Sequence, residues 1–156
     1  MRFISGGFEV GSGQAVHIVD VDVREVWKRL KEEPTAVLID VRTQAEWTYV
    51  GLPDLSSIGK RPFLIEWQTF PDNRVNPEFV ERLSEMLEEA GIDKQAELFF
   101  LCRSGGRSKR AAQAMAEAGY TACRNVADGF EGPLDAERHR GRLAGWKAAG
   151  LPWTQG

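Results

Sequence analysis

The stretch FFLCRSGGRSKR, residues 99–110, joins a strand to a helix and decides the fold. Its apolar first part, which ends at Cys102, is typical of a parallel strand that is covered on both faces. Gly105 and Gly106 then permit a tight turn, and an alanine-rich helix is predicted from about residue 108 to residue 118. Cys102 is therefore expected at the carboxyl end of a buried strand, where open α/β sheets bind their ligands.

Outward from this stretch, helical and strand patterns alternate along the chain. Two further helices are predicted at residues 23–33 and 77–90, a buried strand at residues 36–41 and another strand at residues 121–126. Thr43 and Glu46 have the spacing of a capping box. Residues 51–76 predict one strand between loops, and residues 127–156 predict loops with one or two short helices. We expect an α/β domain whose central, mostly parallel sheet is flanked by helices on both faces.

The chain has 156 residues, 42% of them apolar and 28% charged, which is typical of a soluble globular protein. Its length predicts one domain, at residues 18–156, behind a glycine-rich and loosely ordered arm at residues 1–17. The formal net charge of −3 argues against a general nucleic-acid binder. Because the sequence has no long apolar run, no secretory signal and only two cysteines, we expect a cytoplasmic protein with reduced thiols and no membrane partner.

Three features of the loop act on the Cys102 thiol. The glycine pair lets successive N–H groups point inward as an anion-binding nest, and the start of the following helix adds its positive end. The third feature is a group of cations, Arg103, Arg107, Lys109 and Arg110. No acidic residue occurs between Glu97 and Glu117. Together these features favour the thiolate, so Cys102 is predicted to be a nucleophile toward an oxyanion-bearing substrate.

An inert cysteine is the alternative interpretation. Cysteine is among the most buried residue types, and a strand-to-helix turn with solvated arginines is common. For a lone cysteine that interpretation would prevail. Here the strand end, the paired glycines, the helix start and the excess of cations coincide at Cys102, which favours a reactive thiol.

The same residues resemble the rhodanese family. The loop CRSGGRS at residues 102–108 is similar to the active-site loop of that family and is the specific part of the match. Three further segments resemble family motifs, namely IDVRTQAEW at residues 39–47, NVADGFEG at 125–132 and GWKAAGLPW at 145–153. The sequence departs from the family at residues 49–53, YVGLP, where many members carry a Gly-His pair and this chain has no histidine.

The resemblance implies a rhodanese-like fold and a single-domain sulfurtransferase that works by double displacement. Cys102 would accept a sulfane sulfur from a small anionic donor, thiosulfate or a persulfide, and pass it to a thiol or cyanide acceptor. The rest of the loop would form the anion cradle: Arg103, Ser104, Gly105, Gly106, Arg107 and Ser108. A protein persulfide is a further candidate partner, and no metal or organic cofactor is implied.

Two other functional classes stay open. Cysteine-based phosphatases also hold a thiolate in a nest closed by an arginine, but with one residue more in the loop, so that Ser108 occupies their arginine position. The sequence also offers no obvious general acid, since Asp128 stands in a glycine segment where aspartate is more often a turn residue. The second class is a non-catalytic rhodanese-like binding module, and the presence of the cysteine argues against it.

A few further residues are candidates for supporting roles. Asp40 and Arg42 point the same way at a strand end, where a structural ion pair is favoured over a catalytic role. Trp67 and Phe70 are candidates for the wall of the substrate mouth, although Trp67 would serve equally well in the core. Arg61, with Lys60, is a candidate for attracting an anionic substrate to this mouth, although a Lys-Arg pair is usually solvated surface.

The other cysteine and the two histidines belong to no motif. Cys123 is interpreted as a buried strand cysteine, because a resolving role would require it to approach Cys102. His17 and His139 lack paired metal-ligand spacing, so no metal site is predicted.

Overall fold

The computed structural model describes residues 16–69 and 71–155 of the chain. The predicted N-terminal arm, residues 1–17, lies outside the described residues except for its last two positions. Along the described chain the elements follow in this order: β1 (Val19–Val21), α1 (Val23–Glu32), β2 (Val37–Asp40), α2 (Gln44–Tyr49), β3 (Leu52–Pro53), a 3-10 turn (Ser56–Ile58), β4 (Phe63–Leu64), β5 (Gln68–Thr69), β6 (Arg74–Val75), α3 (Phe79–Glu89), β7 (Glu97–Leu101), α4 (Gly106–Glu117), β8 (Ala122–Val126) and β9 (Trp153–Thr154).

Five strands form one sheet in the order β1-β8-β7-β2-β4. Ile39 of β2 pairs with Phe100 of β7 and with Phe63 of β4, and every neighbouring pair in this sheet is parallel. The predicted α/β fold with a mostly parallel sheet is therefore confirmed. Two short antiparallel pairs, β3 with β9 and β5 with β6, lie outside this sheet.

The apolar core has two halves, one on each face of the sheet. Successive residues of a strand point to opposite faces, and Ile39 and Phe100 pack with α3 and α4 on one of them. Leu38 and Phe99 pack on the other face with α1 and the C-terminal segment, where Trp146 is fully buried. Helices thus cover both faces as predicted, which explains the continuous apolar runs of β2 and β7.

Local signals account for the helix starts next to the loop. Thr43 and Glu46 form the predicted capping box of α2, in which the Thr43 hydroxyl accepts from the N–H of Glu46 at 3.3 Å and the Glu46 carboxylate accepts from the N–H of Thr43 at 3.1 Å. α4 begins at Gly106, slightly earlier than predicted, because Gly105 adopts φ +116° and serves as its N-cap.

Short strands are the elements that the sequence pattern does not predict. The described residues of the range 51–76, namely 51–69 and 71–76, contain four two-residue strands in place of the single predicted one. β1 adds a strand at residues 19–21, next to the predicted arm. Two or three residues are too few to show a hydrophobic period, so the sequence carries no signal for such strands.

The segment after β8 also differs from the prediction. Within residues 127–155, its described part, the chain forms turns and strand β9, and none of the expected short helices. Glycines with a left-handed backbone interrupt any helical run there, at Gly129, Gly132, Gly141, Gly145 and Gly150. Trp146 anchors the segment, because its Nε1 donates to the carbonyl of Pro152 at 2.7 Å. In the described ranges 16–69 and 71–155, none of the helices has both the length and the apolar character of a membrane span.

Candidate active site

Cys102 directly follows β7 and is 1% exposed. The loop turns back over its sulfur because Gly105 adopts φ +116°, a backbone conformation that favours glycine. The N–H of Gly105 donates to Sγ of Cys102 at 3.1 Å, and Oγ of Ser108 lies 3.2 Å from the same sulfur. Two polar groups of the loop therefore converge on one sulfur atom.

Helix α4 adds a field that favours negative charge on this sulfur. The helix extends for 12 residues from Gly106, and Ser108, which contacts the sulfur, lies in its first turn. The free N–H groups of such a turn stabilise a nearby anion by roughly 0.3–1 kcal/mol, and by up to about 2 kcal/mol where the site is partly buried. The positive end of α4 therefore lies beside the sulfur of Cys102.

The glycine segment at residues 129–132 packs against the backbone at the start of the loop and hydrogen-bonds to it. The N–H of Phe130 donates to the carbonyl of Cys102 at 2.8 Å. A Cβ atom at Gly129 would overlap that carbonyl oxygen, so the approach requires glycine. Two segments that resemble family motifs in the sequence therefore meet at the cysteine.

Arg107 forms a two-point ion pair with Glu46 of α2. Nη1 and Nη2 of Arg107 donate to the two carboxylate oxygens at 2.7 and 3.0 Å, and both side chains are 19% exposed. Burial alone would raise the pKa of Glu46, but Arg107 and the hydrogen bonds with Thr43 outweigh it and lower that pKa to about 2. The hydrogen bonds with Glu46 raise the pKa of Arg107 in turn. The pair is therefore ionised at neutral pH and joins the loop to α2.

The acid-free stretch of sequence around Cys102 is consequently not acid-free in space. Glu46 compensates the charge of Arg107, and a carboxylate oxygen of Asp20 in β1 lies 3.1 Å from Nζ of Lys109. The sequence predicts an excess of positive charge around the thiol, and the structure corrects this, because two of the four cations there, Arg107 and Lys109, are paired with carboxylates.

Asp40 and Arg42 form a fully buried ion pair. Nε and Nη2 of Arg42 donate to the Asp40 carboxylate at 2.9 and 2.7 Å, and Nη2 also donates to the carbonyl of Gly51 at 2.8 Å. The guanidinium lies 4.3 Å from the centre of the Phe130 ring. This ring belongs to the half of the core opposite the one that contains Cys102, so the pair braces the backbone at Gly51 and does not face the sulfur.

A cleft of about 500 Å³ opens beside the loop. Side chains from several segments line it: Thr43, Glu46, Val50, Gln68, Asn73, Arg103, Arg107, Glu131 and Arg140. Ser104 and Gly106 face the other side of the loop, where they line a concavity of about 360 Å³. Gln68, Asn73 and Arg140 belong to no motif, so no sequence signal pointed to them.

Arg61, a predicted mouth residue, lies at the opposite end of the sheet from Cys102. It precedes β4, which runs parallel to β2. Nζ of the adjacent Lys60 donates to the carbonyls of Glu33 and Ala36, both of which precede β2. Cys102 instead follows the carboxyl end of β7, so the prediction for Arg61 is corrected to a surface position at the amino end of the sheet.

The other two predicted mouth residues have different outcomes. Trp67 is 9% exposed and packs edge to face on Phe79, with ring centres 5.0 Å apart. It is therefore a core residue, as the alternative interpretation of the sequence allows. Phe70 lies outside the described residues.

Cys123 is remote from the candidate nucleophile. It pairs in register with Leu98 of β7, which lies four positions before Cys102, or about 13 Å along a strand at ~3.3 Å per residue. A disulfide needs Cα atoms within about 7 Å of each other. Burial raises the pKa of the Cys123 thiol to about 12. This placement agrees with the interpretation of Cys123 as a buried strand cysteine.

His139 lies in an exposed turn with two carboxylates. Its ligand atoms and those of Asp135 and Glu137 are within 4.8 Å of one another. Nη1 of Arg142 already contacts both carboxylates, at 3.4 and 2.8 Å. The N–H of His139 also donates to Asp135 at 2.8 Å, so these contacts account for the cluster as a hydrogen-bonded turn.

Comparison with known proteins finds relatives over most of the chain. The family described as "STR4 middle domain" matches residues 19–156. The uncharacterized protein RP600 of Rickettsia prowazekii is 41% identical over 120 residues, which are 76% of this chain and 82% of that protein. Thiosulfate sulfurtransferase 18 of Arabidopsis thaliana is 34% identical over 120 residues, which are 76% of this chain and 80% of that protein. The crystal structure of Rv0390 from M. tuberculosis is similar with a TM-score of 0.80 and 47% sequence identity, and the match covers 90% of this chain and 100% of that one.

Proposed function

The chain belongs to the rhodanese-like family, and we propose that it is a sulfurtransferase that carries a sulfane sulfur on Cys102. The donor would be a small anion, thiosulfate or a persulfide, and the acceptor cyanide or a thiol. One observation carries the proposal: the Gly105 N–H and the Ser108 hydroxyl converge on Sγ of Cys102, at 3.1 and 3.2 Å, at the start of α4. The 34% identity with a thiosulfate sulfurtransferase supports the same chemistry.

In the first half-reaction the Cys102 thiolate attacks the outer sulfur of the donor. A bond forms between Sγ and that sulfur, while the bond from the outer sulfur to the rest of the donor breaks. With thiosulfate the electron pair of the broken bond leaves on sulfite, and Cys102 becomes a persulfide with one negative charge on its terminal sulfur. The Gly105 N–H and the Ser108 hydroxyl contact Sγ, so in this proposal the positive end of α4, which begins at Gly106, stabilises the charge on the terminal sulfur bonded to it.

In the second half-reaction an acceptor attacks the terminal sulfur of the persulfide. With cyanide, a carbon–sulfur bond forms, the sulfur–sulfur bond breaks, and thiocyanate leaves while the electron pair returns to Sγ as the thiolate. No proton, oxidant or metal is consumed in either half. Ping-pong kinetics follow, because the first product departs before the acceptor binds.

The cleft beside the loop is the proposed route for the donor. Arg103 is exposed at its wall, and no carboxylate of residues 16–69 or 71–155 lies within salt-bridge distance of it. A doubly charged anion such as thiosulfate would be drawn to this side by the guanidinium. Arg140 lines the same cleft and would add a second charge, while Glu131 would limit how many anionic groups the cleft tolerates.

A phosphatase activity is less well supported. Ser108, at the position of the phosphatase arginine, is fully buried and contacts the sulfur, so the loop lacks a guanidinium at that point. Asp128, the nearest candidate for a general acid, is exposed and has a left-handed backbone with φ +63°, which is the geometry of a turn residue. A loop that offers only a few close donors suits one terminal sulfur better than the several oxygens of a phosphoryl group.

The test compares thiocyanate formation by the unaltered chain with that of two cysteine variants. Thiosulfate and glutathione persulfide serve as donors and cyanide as the acceptor. Cys102→Ala is expected to lose more than 99% of the rate with the preferred donor, as is typical when a covalent nucleophile is removed, about 10²-fold or more. Cys123→Ala is the matched control and is expected to keep most of the rate, because that thiol is buried and distant.

Two results would contradict the proposal. One is full thiocyanate formation by Cys102→Ala. The other is hydrolysis of a small aryl phosphate that disappears with the same substitution, in a chain that forms no thiocyanate from either donor. Absence of both activities, with a stable protein partner recovered instead, would favour the binding-module class.

A further inference from the structure

Asn125 of β8 connects the two groups that contact the Cys102 sulfur. Its Nδ2 donates to the carbonyl of Gly105 at 3.2 Å, and its Oδ1 lies within hydrogen-bond distance of Oγ of Ser108. Gly105 and Ser108 are the residues whose N–H and hydroxyl groups approach Sγ. Asn125 is 3% exposed, so one buried amide holds both of these partners in place.

Asp20 of β1 fixes the orientation of that amide. Nδ2 of Asn125 donates to Oδ1 of Asp20 at 2.9 Å, and Oδ2 of Asp20 lies 3.1 Å from Nζ of Lys109. The hydrogen bond from Asn125 lowers the pKa of Asp20, which keeps this carboxylate an acceptor. Because both N–H groups of the amide are engaged, one by Asp20 and one by Gly105, its oxygen must face Ser108.

Ser108 has one hydroxyl proton and three acceptors around it. Its Oγ lies 3.2 Å from Sγ of Cys102, 3.3 Å from the carbonyl of Gly105 and closest to Oδ1 of Asn125. A hydroxyl group donates only one hydrogen bond, so a proton given to Asn125 is withheld from the sulfur. In that arrangement Ser108 presents a lone pair to Cys102 and can accept a hydrogen bond from its S–H group.

We propose that Asn125 is a positioning residue that competes with the Cys102 sulfur for the Ser108 proton and so sets how readily the thiolate forms. When Cys102 loses its proton, the sulfur becomes the stronger acceptor, and the Ser108 hydroxyl turns from Asn125 to Sγ. The same turn would accompany the return of the thiolate at the end of sulfur transfer. The part of this inference that concerns sulfur transfer rests on the proposed function.

Other charges lie on the elements around the cysteine. They are Arg107 of α4 with its partner Glu46 of α2, Asp20 of β1 with its partner Lys109, Asp40 of β2 with its partner Arg42, and Arg103 of the loop. Substitution of Asn125 leaves all of these charges in place. A change in the titration of the thiol after that substitution therefore reports on hydrogen bonding and not on formal charge.

The test is the pH dependence of the rate at which iodoacetamide alkylates Cys102. Asn125→Ala removes the competing acceptor, so its half-maximal rate is expected at a pH lower by about 0.5–1 unit, the effect of about one hydrogen bond. In a Ser108→Ala background the same substitution is expected to have less than a third of that effect, because no hydroxyl proton is left to redirect. A midpoint that is unchanged or higher in Asn125→Ala, or an equal shift in both backgrounds, would overturn the proposal.

A pair of Asp20 variants tests the same idea without changing the buried amide. Asp20→Ala and Asp20→Asn remove the same charge from a half-exposed side chain, but only the asparagine keeps an oxygen that can accept from Nδ2 of Asn125. The midpoint is expected at a lower pH in Asp20→Ala than in Asp20→Asn, because the amide is then free to turn its oxygen away from Ser108. Equal midpoints would contradict the anchoring role of Asp20.

Alkylation separates this inference from the proposed function. The measurement needs no sulfur donor, so the expected alkylation profiles in a chain that transfers no sulfur would leave the competition for the proton intact and contradict only the sulfurtransferase proposal. A chain that transfers sulfur but whose variants show unshifted alkylation profiles would support the sulfurtransferase proposal and contradict the competition for the Ser108 proton.

Discussion

Nη1 of Arg107 lies 2.7 Å from Oε1 of Glu46, although the two residues are 61 positions apart in the sequence. The same carboxylate completes the capping box of α2 with Thr43. One glutamate thus caps a helix and holds the arginine of the Cys102 loop, so the loop is positioned before any substrate arrives. The contact also compensates the charge that an anionic donor would otherwise meet.

Glu46→Gln is predicted to lower the stability of the fold and to raise the affinity of the chain for an anionic donor. Glutamine also serves in a capping box, so the substitution removes the charge and keeps the cap. The uncompensated Arg107 is expected to lower KM for thiosulfate about 3- to 10-fold, while the free energy of unfolding falls by about 1–3 kcal/mol. Steady-state kinetics and urea unfolding at pH 7 measure the two effects.

The control for this variant is Glu78→Gln, which breaks the exposed pair between Glu78, the N-cap of α3, and Arg82 in the first turns of that helix. Exposed pairs at this helical spacing contribute about 0.3–0.5 kcal/mol, so a small loss of stability and an unchanged KM are expected. An equal loss of stability in both variants would show that the Glu46 contact is no stronger than a surface ion pair.

Acid is predicted to remove the contribution of Glu46 to stability. The pKa of Glu46 is about 2 in the folded chain and 4.5 ordinarily, so this contribution is complete above pH 4.5 and is lost as the pH falls toward 2. The difference in unfolding free energy between the unaltered chain and Glu46→Gln should therefore shrink by about 1–2 kcal/mol from pH 6 to pH 3. Urea unfolding at both pH values measures it, and a constant difference would contradict the prediction.

Gly129→Ala is predicted to displace the backbone of the active-site loop at Cys102. The new Cβ atom would overlap the carbonyl oxygen of Cys102, in addition to the strain of an alanine at φ +63°. We expect a loss of about 3 kcal/mol or more in unfolding free energy and at least about a tenfold loss of thiocyanate formation, since the loop must move.

Gly150→Ala is the matched control for this effect. Gly150 has a similar φ of +77°, but no atom lies within 4 Å of the position of its Cβ. Its free energy of unfolding should fall by only about 1–2 kcal/mol, the cost of an alanine in the left-handed conformation, and its sulfur-transfer rate should be unchanged. Equal costs for the two variants would mean that the contact with Cys102 is unimportant.

Cys123 is predicted to be unreactive in the folded chain. Cys102→Ala leaves Cys123 as the only cysteine, and burial raises the pKa of that thiol to about 12. Iodoacetamide at pH 8 should therefore leave the folded variant unmodified and label it fully in 8 M urea. Intact mass measures the labelling, and rapid modification of the folded variant would contradict the assignment of Cys123 to the core.

Local signals explain what the sequence predicts well. The strand that ends at Cys102, the glycine turn and the capping box of Thr43 and Glu46 each depend on residues within a few positions of one another. The continuous apolar runs likewise predict a sheet covered on both faces, and the structure confirms it.

Contacts between distant segments explain what the sequence does not predict. Glu46 reaches Arg107 across 61 positions and Asp20 reaches Asn125 across 105, and neither contact leaves a periodic or spacing signal. Arg61 is predicted from the sequence to lie near Cys102, and the structure places it at the other end of the sheet. A cation close in sequence to a predicted strand can lie at either end of that strand. The direction of β4 relative to β2 decides that question, and it emerges only from strand pairing.

The mass of the chain after incubation with thiosulfate tests the proposed chemistry most directly. After removal of the donor, we expect the intact mass to increase by one sulfur atom, located by peptide mapping on Cys102, and to return to its original value when cyanide is added and thiocyanate forms. A chain that gains no sulfur from thiosulfate or glutathione persulfide, or that gains it on Cys123, would contradict the assignment of Cys102 as the sulfur carrier.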